Sequence, residues 1–334
     1  MTHDIAIVGY GYWGPNPLRA FMDIPGCSVR YCCDLDPERL KEVKRRFPHI
    51  LTTTDFNEVI SDVSIDAVVL ATPTGTHFEL AKKAMEQGKD VLIEKPMTST
   101  SKEAWELVAL AEKNKKILMV DNILLFNPAV LKIKELIDSG EIGDILYIDS
   151  TRTNLGLFQK DINVIFDLAS HEFSMIQFFL GAKPKIISVT GKSHVGRQID
   201  LAYISAEYPG DIFAHVHITW LSPLKIRRMF IVGSKKMIMY DDNEPAEKLR
   251  VYDKGVIAEG SLKDAAQIKI NYRIGDAWLP NIEIADPLTF LARSFIDALS
   301  SRKVERSGGK FSAEIIEILE SATKLFNKKS GELK

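Results

Sequence analysis

The sequence predicts an α/β protein with two parts: a doubly wound parallel sheet at the N-terminus, and an α+β domain built on a large, mostly antiparallel open sheet. Three observations predict this fold class. Short, continuous apolar runs alternate with helical stretches over the first third of the chain, a glycine-rich turn follows the first run, and strand follows strand from about residue 185 to about residue 253. Continuous apolar runs are typical of strands that are buried on both faces of a parallel sheet.

Five apolar runs in the first third predict parallel strands joined by right-handed helical crossovers. The predicted strands are Ile5–Val8, Val29–Cys33, Ala67–Ala71, Val91–Ile93 and Ile117–Val120. The predicted helices between them are Pro37–Phe47, Gly75–Gln87 and Ser101–Asn114. Asp36 and Thr100 are the predicted N-terminal caps of the first and the third of these helices.

The periodicity changes after about residue 121. The later predicted strands are Ile145–Thr153, Ile186–Thr190, Ala202–Tyr208, Ile212–Trp220, Met229–Val232 and Met237–Tyr240. The later predicted helices are Pro128–Ser139, Asn163–Leu180, Pro287–Ser300 and Ser312–Asn327. We therefore expect one domain over residues 1–121 and a second over residues 122–334, with C-terminal helices that are able to pack back on the first.

Composition excludes several classes of protein. The 334 residues carry a net charge of −2, which gives no general attraction to nucleic acid or to anionic lipid. No apolar run approaches the roughly 20 residues of a membrane span, and the first residues lack the pattern of a secretory signal, so a cytoplasmic location is expected. Three cysteines in one short region (Cys27, Cys32 and Cys33) form neither a disulfide framework nor a C-x-x-C metal motif, and we interpret them as reduced core residues.

Residues 9–14 form a complete G-x-G-x-x-G turn in which Tyr12 and Trp13 precede the last glycine. The turn follows a predicted strand and opens a helix, as in the Rossmann dinucleotide-binding fold. In that setting Gly9 permits the tight turn, Gly11 lets the backbone approach a pyrophosphate, and Gly14 allows close packing of helix and strand. The free N–H groups of the helix N-terminus attract phosphate. The alternative is a glycine-rich turn without a ligand.

Asp34 ends the second predicted strand, 20 residues after Gly14. An acid at this distance is expected to bind the ribose hydroxyls of the adenosine half of the cofactor. The same acid repels the 2′-phosphate of NADP, and the nearest basic residue that follows is Arg39. The sequence therefore favours NAD over NADP. In the alternative interpretation, Asp34 is only a helix cap or a loop acid.

Glu94-Lys95-Pro96 ends the fourth predicted strand, where a side chain of a parallel sheet points into the ligand crevice. With the glycine turn and the strand-rich second domain, this tripeptide resembles the Gfo/Idh/MocA family of glucose–fructose oxidoreductases and inositol dehydrogenases, over essentially the whole chain. Ala71-Thr72-Pro73 and Asn127-Pro128 are further matches. The resemblance implies an NAD-binding first domain and a second domain for substrate binding and oligomerisation. The cofactor-binding residues that it implies beside the glycine turn and Asp34 are Thr72, Pro73, His77, Glu94 and Lys95.

Asp167 and His171 match the acid and the histidine that the family carries four residues apart on one helix. Residues i and i+4 share a helical face, so both side chains can project into one cleft. Histidine suits proton transfer near neutral pH, and a carboxylate can orient it. The resemblance makes Lys95, Asp167 and His171 the expected catalytic residues. Without the resemblance, an ordinary histidine on an amphipathic helix is the better interpretation.

Two segments resemble a narrower group that acts on nucleotide-linked sugars and includes UDP-N-acetylglucosamine 3-dehydrogenases. These are the run from Tyr12 to Asn16, and Asn154-Leu155-Gly156 followed by Asp161-x-Asn163-Val164. Asp121-Asn122 is a departure, because relatives often have Gly-His there. The expected substrate contacts are Asn122, Arg152, Asn154, Asn163 and Arg273. No metal site is predicted, since His215 and His217 alternate on one strand without an evident third ligand.

The sequence thus predicts an NAD-dependent dehydrogenase that acts on a ring secondary alcohol of a sugar, for which a UDP-sugar oxidised at C3 is the leading candidate. The alternatives are a ketosugar reductase or an inositol dehydrogenase. A non-enzymatic alternative is an NAD-binding redox sensor, against which the joint presence of Lys95 and His171 argues. The expected partner is a small sugar or nucleotide-sugar substrate, with neither nucleic acid nor membrane. The resemblance also implies a homodimer or homotetramer formed through the C-terminal sheet.

Overall fold

The computed structural model of the protein describes residues 2–156, 158, 162–259 and 269–330. The chain divides into two compact units. The first comprises Met1–Asn127 and Ala285–Glu320, and the second comprises Pro128–Ile284 and Ser321–Lys334. The C-terminal part of the chain therefore contributes residues to both units.

The strands are β1 (His3–Val8), β2 (Cys27–Cys33), β3 (Leu51–Thr53), β4 (Ala67–Leu70), β5 (Asp90–Glu94), β6 (Leu118–Asp121), β7 (Ile145–Leu155), β8 (Lys185–Lys192), β9 (Leu201–Tyr208), β10 (Ile212–Thr219), β11 (Leu221–Gly233), β12 (Met237–Asp241), β13 (Leu249–Glu259) and β14 (Lys269–Trp278). The helices are α1 (Pro15–Met22), α2 (Pro37–Arg46), α3 (Phe56–Ser61), α4 (Thr74–Glu86), α5 (Ser101–Asn114), α6 (Pro128–Asp138), α7 (Ser170–Leu180), α8 (Pro287–Ser301) and α9 (Gly309–Ser330). A 3₁₀ turn covers Ile123–Phe126, and a π-helical turn covers Ile165–Ala169.

The first unit contains a six-stranded sheet in the order β3-β2-β1-β4-β5-β6. Every neighbouring pair in it is parallel. The direction of winding reverses between β1 and β4, which is the topological switch point where ligands of such sheets bind, outside the carboxyl ends of the strands. The predicted doubly wound parallel sheet is confirmed.

Side-chain caps mark the starts of α2 and α5 in this unit. The Asp36 carboxylate accepts a hydrogen bond from Glu38 N at the start of α2, and Thr100 forms a capping box with Glu103 at the start of α5. Both caps were predicted. The short elements β3 and α3 were not predicted, because β3 has only three residues and its Leu51 is exposed, so no continuous apolar run marks it.

The second unit contains an eight-stranded sheet in the order β14-β13-β12-β11-β7-β10-β9-β8. Only the β7–β10 pair is parallel among the neighbouring strands of the described residues. Alternate residues of β10 face opposite sides: Ala214, Val216 and Ile218 are buried, whereas Phe213 is exposed. The predicted mostly antiparallel second sheet is confirmed.

The predicted second sheet was too short at one edge, and the start of one predicted helix was wrong. Predicted strands ended near residue 253, but β13 and β14 extend the sheet to Trp278. Tyr272 and Ile274 of β14 are largely exposed, and their strand carries no apolar run that would have marked it. The predicted helix Asn163–Leu180 begins as the π-helical turn before α7.

Among the described residues, no helix combines the length and the apolar character that a membrane crossing requires.

Candidate active site

The glycine turn lies between β1 and α1, and its three glycines have different structural roles. Gly9 has a φ of +93°, and a Cβ there would lie 2.6 Å from the carbonyl oxygen of Ala71. A Cβ on Gly14 would lie 2.1 Å from the carbonyl oxygen of Gly9. A Cβ on Gly11 would meet only the mobile end of the Arg39 side chain, at 3.5 Å. The fold itself therefore requires glycine at two of the positions, whereas the space beside Gly11 is open to a ligand.

This difference gives a test of the turn that separates binding from folding. We expect Gly11→Ala to leave the melting temperature nearly unchanged, because the added methyl group meets no backbone atom. We expect it to weaken NAD binding by about tenfold or more (~1.4 kcal/mol), since the methyl group occupies the path by which the backbone approaches the pyrophosphate. Titration calorimetry and thermal unfolding measure the two effects.

Gly75→Ala is the matched control, because a Cβ on Gly75 near the start of α4 meets no atom within 4 Å. It should change neither the melting temperature nor NAD affinity. Wild-type affinity in Gly11→Ala would show that the turn does not carry the phosphates.

Asp34 directly follows β2, and both of its carboxylate oxygens accept hydrogen bonds. Oδ2 accepts a hydrogen bond from Tyr10 N at 2.6 Å, and Oδ1 accepts one from Asp36 N at 2.8 Å. Arg39 Nη1 lies 3.4 Å from Oδ2. The side chain is 8% exposed, so these contacts fix a carboxylate directly beside the glycine turn. The helix cap is Asp36, and the interpretation of Asp34 as a helix cap is therefore wrong.

The other predicted residues of the turn differ in exposure. Tyr12 is 88% exposed, whereas the indole nitrogen of Trp13 is buried. Thr72 lies close to the turn, with its Cγ2 2.9 Å from the position that a Cβ on Gly9 would take. Pro73 immediately precedes α4. The structure thus gathers the turn and the end of β4 at one edge of the sheet.

His77 connects the loops that follow β4 and β5. Its Nδ1 lies 3.0 Å from the carbonyl oxygen of Pro96, and its Nε2 lies 2.8 Å from the carbonyl oxygen of Thr72. The residue is 1% exposed. These contacts let His77 position the loop beside Lys95, and its contact with the cofactor stays a prediction.

Lys95 follows directly after β5, whose last residue is Glu94. The Glu94 carboxylate accepts a hydrogen bond from the backbone N–H of Lys95. Across the sheet, Glu94 is in register with Asp121, the last residue of β6. The carboxyl ends of β5 and β6 thus bring an ammonium group and two carboxyl groups to one edge of the sheet.

Asp121 also lies at this edge of the sheet. From the sequence it was noted only as a departure from relatives. It is 5% exposed, and burial raises the pKa of its carboxyl group to about 7. The Trp13 indole and the Lys95 charge oppose this rise in pKa, while the Asp286 charge reinforces it. No sequence signal beyond the departure itself could have identified a buried acid with a raised pKa.

In the second unit, Asp167 lies in the π-helical turn and His171 lies in the first turn of α7, four residues later. Trp220 Nε1 donates a hydrogen bond to Asp167 Oδ2 at 2.9 Å. Trp220 follows β10 and is 1% exposed, with its ring 5.3 Å from that of Phe158. Trp220 is thus a positioning residue for Asp167 that the sequence did not reveal, since only the fold brings these distant segments together.

Arg152, a predicted substrate contact, has a buried partner in the structure. Its guanidinium forms an ion pair with Glu172 of α7, and Ser150 also donates a hydrogen bond to Glu172. Arg152 is 4% exposed and Glu172 is 2% exposed. Arg152 is therefore a buried structural residue between β7 and α7.

Asn122 and Asn163, both predicted to contact substrate, also have local partners. Asn122 Nδ2 donates hydrogen bonds to Ser307 Oγ at 2.8 Å and to Ser312 Oγ at 3.0 Å. Asn163 Oδ1 accepts hydrogen bonds from the backbone N–H groups of Ile165 and Phe166, as a helix cap does. Both side chains thus have local structural partners, and their contact with a substrate stays a prediction.

The remaining predicted substrate contacts lie near strand ends and edges. Arg273 of β14 donates a hydrogen bond to Asp253 at 2.8 Å, which places it on the β13–β14 ribbon. Asn154 is half-buried near the end of β7 and stays a candidate contact. Asp161 lies outside the described residues.

His215 and His217 face one side of the second sheet, where the Tyr203 ring stacks on both, 6.0 Å and 4.3 Å away respectively. Asp149 lies 3.2 Å from His215 Nδ1. Burial and the nearby His215 lower the pKa of His217. Within the described ranges, no three histidine, cysteine or acidic side chains are grouped so that they could hold a metal ion.

Comparison with known proteins identifies the family. Residues 3–122 match the oxidoreductase family with an NAD-binding Rossmann fold, and residues 130–239 match the GFO/IDH/MocA C-terminal domain. The chain belongs to the Gfo/Idh/MocA family. It is thus an NAD-dependent oxidoreductase, as its glycine turn and its Glu-Lys-Pro strand end predicted.

One curated protein and two solved structures illustrate what this chain is similar to. The scyllo-inositol 2-dehydrogenase (NAD(+)) of Bacillus subtilis is 30% identical over 203 residues, 58% of this chain and 59% of that protein. The structure of UDP-N-acetylglucosamine 3-dehydrogenase GnnA from Acidithiobacillus ferrooxidans has a TM-score of 0.81 at 21% identity and covers 98% of both chains. A levoglucosan dehydrogenase in complex with NADH and levoglucosan has a TM-score of 0.84 at 18% identity, again over 98% of both chains. The two structures share the fold.

The residues of the first unit fit NAD. The open space at Gly11 lies before α1, whose N-terminal N–H groups suit the phosphates. The Asp34 carboxylate beside it suits the adenosine ribose. Trp13 Nε1 is buried beside the Asp121 carboxyl group and forms no hydrogen bond of standard geometry within the described part of the chain. When bound, NAD supplies the acceptor or donor of hydride.

Proposed function

We propose that this member of the Gfo/Idh/MocA family is an NAD-dependent dehydrogenase of a sugar, acting at a ring secondary alcohol and using Lys95 and His171 on one hydroxyl group. The observation that carries the proposal is the presence of Lys95 directly after β5, in the unit that carries the glycine turn, together with Asp167 in the π-helical turn and His171 in the first turn of α7. A redox sensor would need the turn but none of these three side chains.

The chemistry assigns a different role to each side chain. His171 accepts the proton of the substrate hydroxyl as hydride leaves the carbon atom. Lys95 donates a hydrogen bond to the same oxygen and stabilises the negative charge that develops there. Asp167 orients His171, and the hydrogen bond from Trp220 in turn holds Asp167 in place.

A nucleotide-linked sugar, oxidised at C3 as in a UDP-N-acetylglucosamine 3-dehydrogenase, is the substrate that we propose. The resemblance from Tyr12 to Asn16 and around Asn154 supports this substrate class. An inositol dehydrogenase is the second candidate, because the scyllo-inositol relative has the higher sequence identity. Ketosugar reduction is the same chemistry in reverse.

A substrate panel tests the proposal. Purified protein is mixed with NAD or NADP and with UDP-sugars, free sugars or inositols, and formation of the reduced nicotinamide is followed by absorbance. The proposal expects turnover with NAD and a UDP-linked amino sugar. Turnover with inositols alone would support the second candidate, and NAD binding without turnover of any sugar or polyol in either direction would support the redox sensor.

We also propose that the protein forms a homodimer or homotetramer through the outer face of the second sheet, defined by Tyr147, Tyr203, Phe213 and Phe230. Each of these side chains is more than 40% exposed. Cross-strand register places all four on the same face. An apolar face of this kind is typical of a protein–protein contact.

The assembly gives a prediction for mass in solution. The double variant Phe213→Asp/Phe230→Asp should have a lower molar mass than the wild type by light scattering, because two charges then face the partner copy. Val63→Asp is the control, since Val63 is 96% exposed in the first unit. A wild type that is already monomeric would contradict this assembly.

The cytoplasmic location stays a prediction.

A further inference from the structure

Asp121 is a buried acid at the carboxyl end of β6 that the proposed chemistry does not use. Groups from four segments of the first unit interact with it. Trp13 belongs to the glycine turn, Lys95 follows β5, the Ile123 N–H lies in the 3₁₀ turn, and Asp286 caps α8. Glu94 is its register partner on β5.

Two polar atoms at this position form no hydrogen bond of standard geometry within the described residues. Asp121 Oδ1 and Trp13 Nε1 are both buried, and neither has a hydrogen-bond partner of standard geometry within the described residues. Asp121 itself is 5% exposed. An acceptor and a donor that face each other without a good hydrogen bond are costly to bury. The arrangement therefore points to a ligand that approaches this edge of the sheet.

The cofactor is the ligand that the position suits. Asp34, at the end of β2, marks the adenosine side of the sheet, and a dinucleotide extends from there across the switch point. The strand order β2-β1-β4-β5-β6 then brings the nicotinamide half toward the ends of β5 and β6. This step rests on the proposed function, in which the nicotinamide lies beside Lys95.

The two redox forms of the cofactor differ in charge at this end. The nicotinamide ring of NAD⁺ carries a positive charge, and that of NADH carries none. When Asp121 is ionised, it offsets the positive charge of Lys95. When Asp121 is protonated, one negative charge beside Lys95 is lost, which disfavours the positive ring of NAD⁺ but not the neutral ring of NADH.

We propose that Asp121 makes the cofactor site distinguish the redox forms of NAD, because its carboxylate favours the cationic NAD⁺ over neutral NADH.

The pH dependence follows from linkage. Burial raises the pKa of Asp121 to about 7 in the free protein. A nearby positive nicotinamide ring stabilises the carboxylate and therefore lowers this pKa, so NAD⁺ binding expels a proton near neutral pH. Affinity for NAD⁺ consequently rises as the pH rises through the pKa of the free protein and levels off above it. NADH binding leaves the proton in place, and its affinity stays nearly constant.

Binding measurements on the wild type test the proposal without any substrate. For a pKa shift of about one unit, we expect NAD⁺ affinity to be about fivefold or more higher at about pH 8 than at about pH 5.5, with less than about a twofold change for NADH. Titration calorimetry in buffers of different ionisation enthalpy should show proton release with NAD⁺ and almost none with NADH. Parallel pH profiles for the two forms would overturn the proposal while leaving cofactor binding intact.

Two variants assign the effect to Asp121. In Asp121→Asn, which is nearly isosteric, the ratio of NAD⁺ to NADH affinity should no longer change with pH. Asp286→Asn keeps a side chain that caps α8 but removes a negative charge, so the midpoint of the wild-type transition should move to lower pH. A ratio that still changes with pH in Asp121→Asn would overturn the proposal in favour of another titrating group, such as His171. Failure of both redox forms to bind to the wild type would contradict cofactor binding itself.

Discussion

Replacing either His171 or Lys95 by alanine is expected to lower kcat at least about 100-fold, because a general base or acid contributes roughly 10²–10⁴-fold to a rate. NAD affinity should stay close to that of the wild type, since we expect the glycine turn to hold the phosphates and Asp34 to hold the adenosine ribose. Steady-state rates on the substrate found in the panel, combined with NAD titrations, measure both effects.

Asp167→Ala should cost less than His171→Ala, because Asp167 orients the base and does not touch the reacting oxygen. Trp220→Phe keeps the ring but removes the N–H that donates to Asp167, so it should give a smaller loss of the same kind. The double variant Lys95→Ala/His171→Ala should lose less than the product of the single losses, since groups that act as a unit are not additive. Near-normal turnover in His171→Ala would reduce His171 to a structural residue.

Removing one member of the buried pair between Arg152 and Glu172 should lower the free energy of unfolding by about 3–5 kcal/mol. Glu172→Ala leaves the guanidinium charge 4% exposed and without its carboxylate, and it also removes the acceptor for Ser150. Urea unfolding, followed by the tryptophan fluorescence of the protein, measures this loss of stability. The double variant Arg152→Met/Glu172→Leu should recover much of it, because no unpaired charge is then buried.

An exposed pair provides the matched control for this prediction. Lys41 and Glu38 lie 2.7 Å apart on α2, but their side chains are 72% and 73% exposed. Lys41→Ala should therefore change stability little. If Glu172→Ala were as mild as Lys41→Ala, the buried pair would not stabilise the contact between β7 and α7.

The first unit was largely predictable because its signals are local. The glycines, the apolar strands and the Asp36 cap each depend on residues close together in sequence, and the structure has them where they were expected. Asp34 was recognised by a fixed spacing from Gly14 that the βαβ geometry imposes.

The partners of the predicted substrate contacts could not be predicted, because they are residues that are distant in the chain. Arg152 shares the inward face of β7 with Ile148 and Ser150, and this two-residue period was a signal for burial that the prediction did not use. The partner, Glu172, lies on another element. Trp220 and Asp121 had no local signal for their roles, since hydrogen bonding and desolvation at these sites arise only in the folded chain.

The most direct test of the shared role of Lys95 and His171 is a crystal structure of the protein with NAD and the sugar that the panel identifies. We predict that Lys95 Nζ and a ring nitrogen of His171 each lie within about 2.6–3.2 Å of one and the same substrate oxygen. Side chains of Lys95 and His171 more than about 10 Å apart in that complex, too far to share one oxygen, would contradict it.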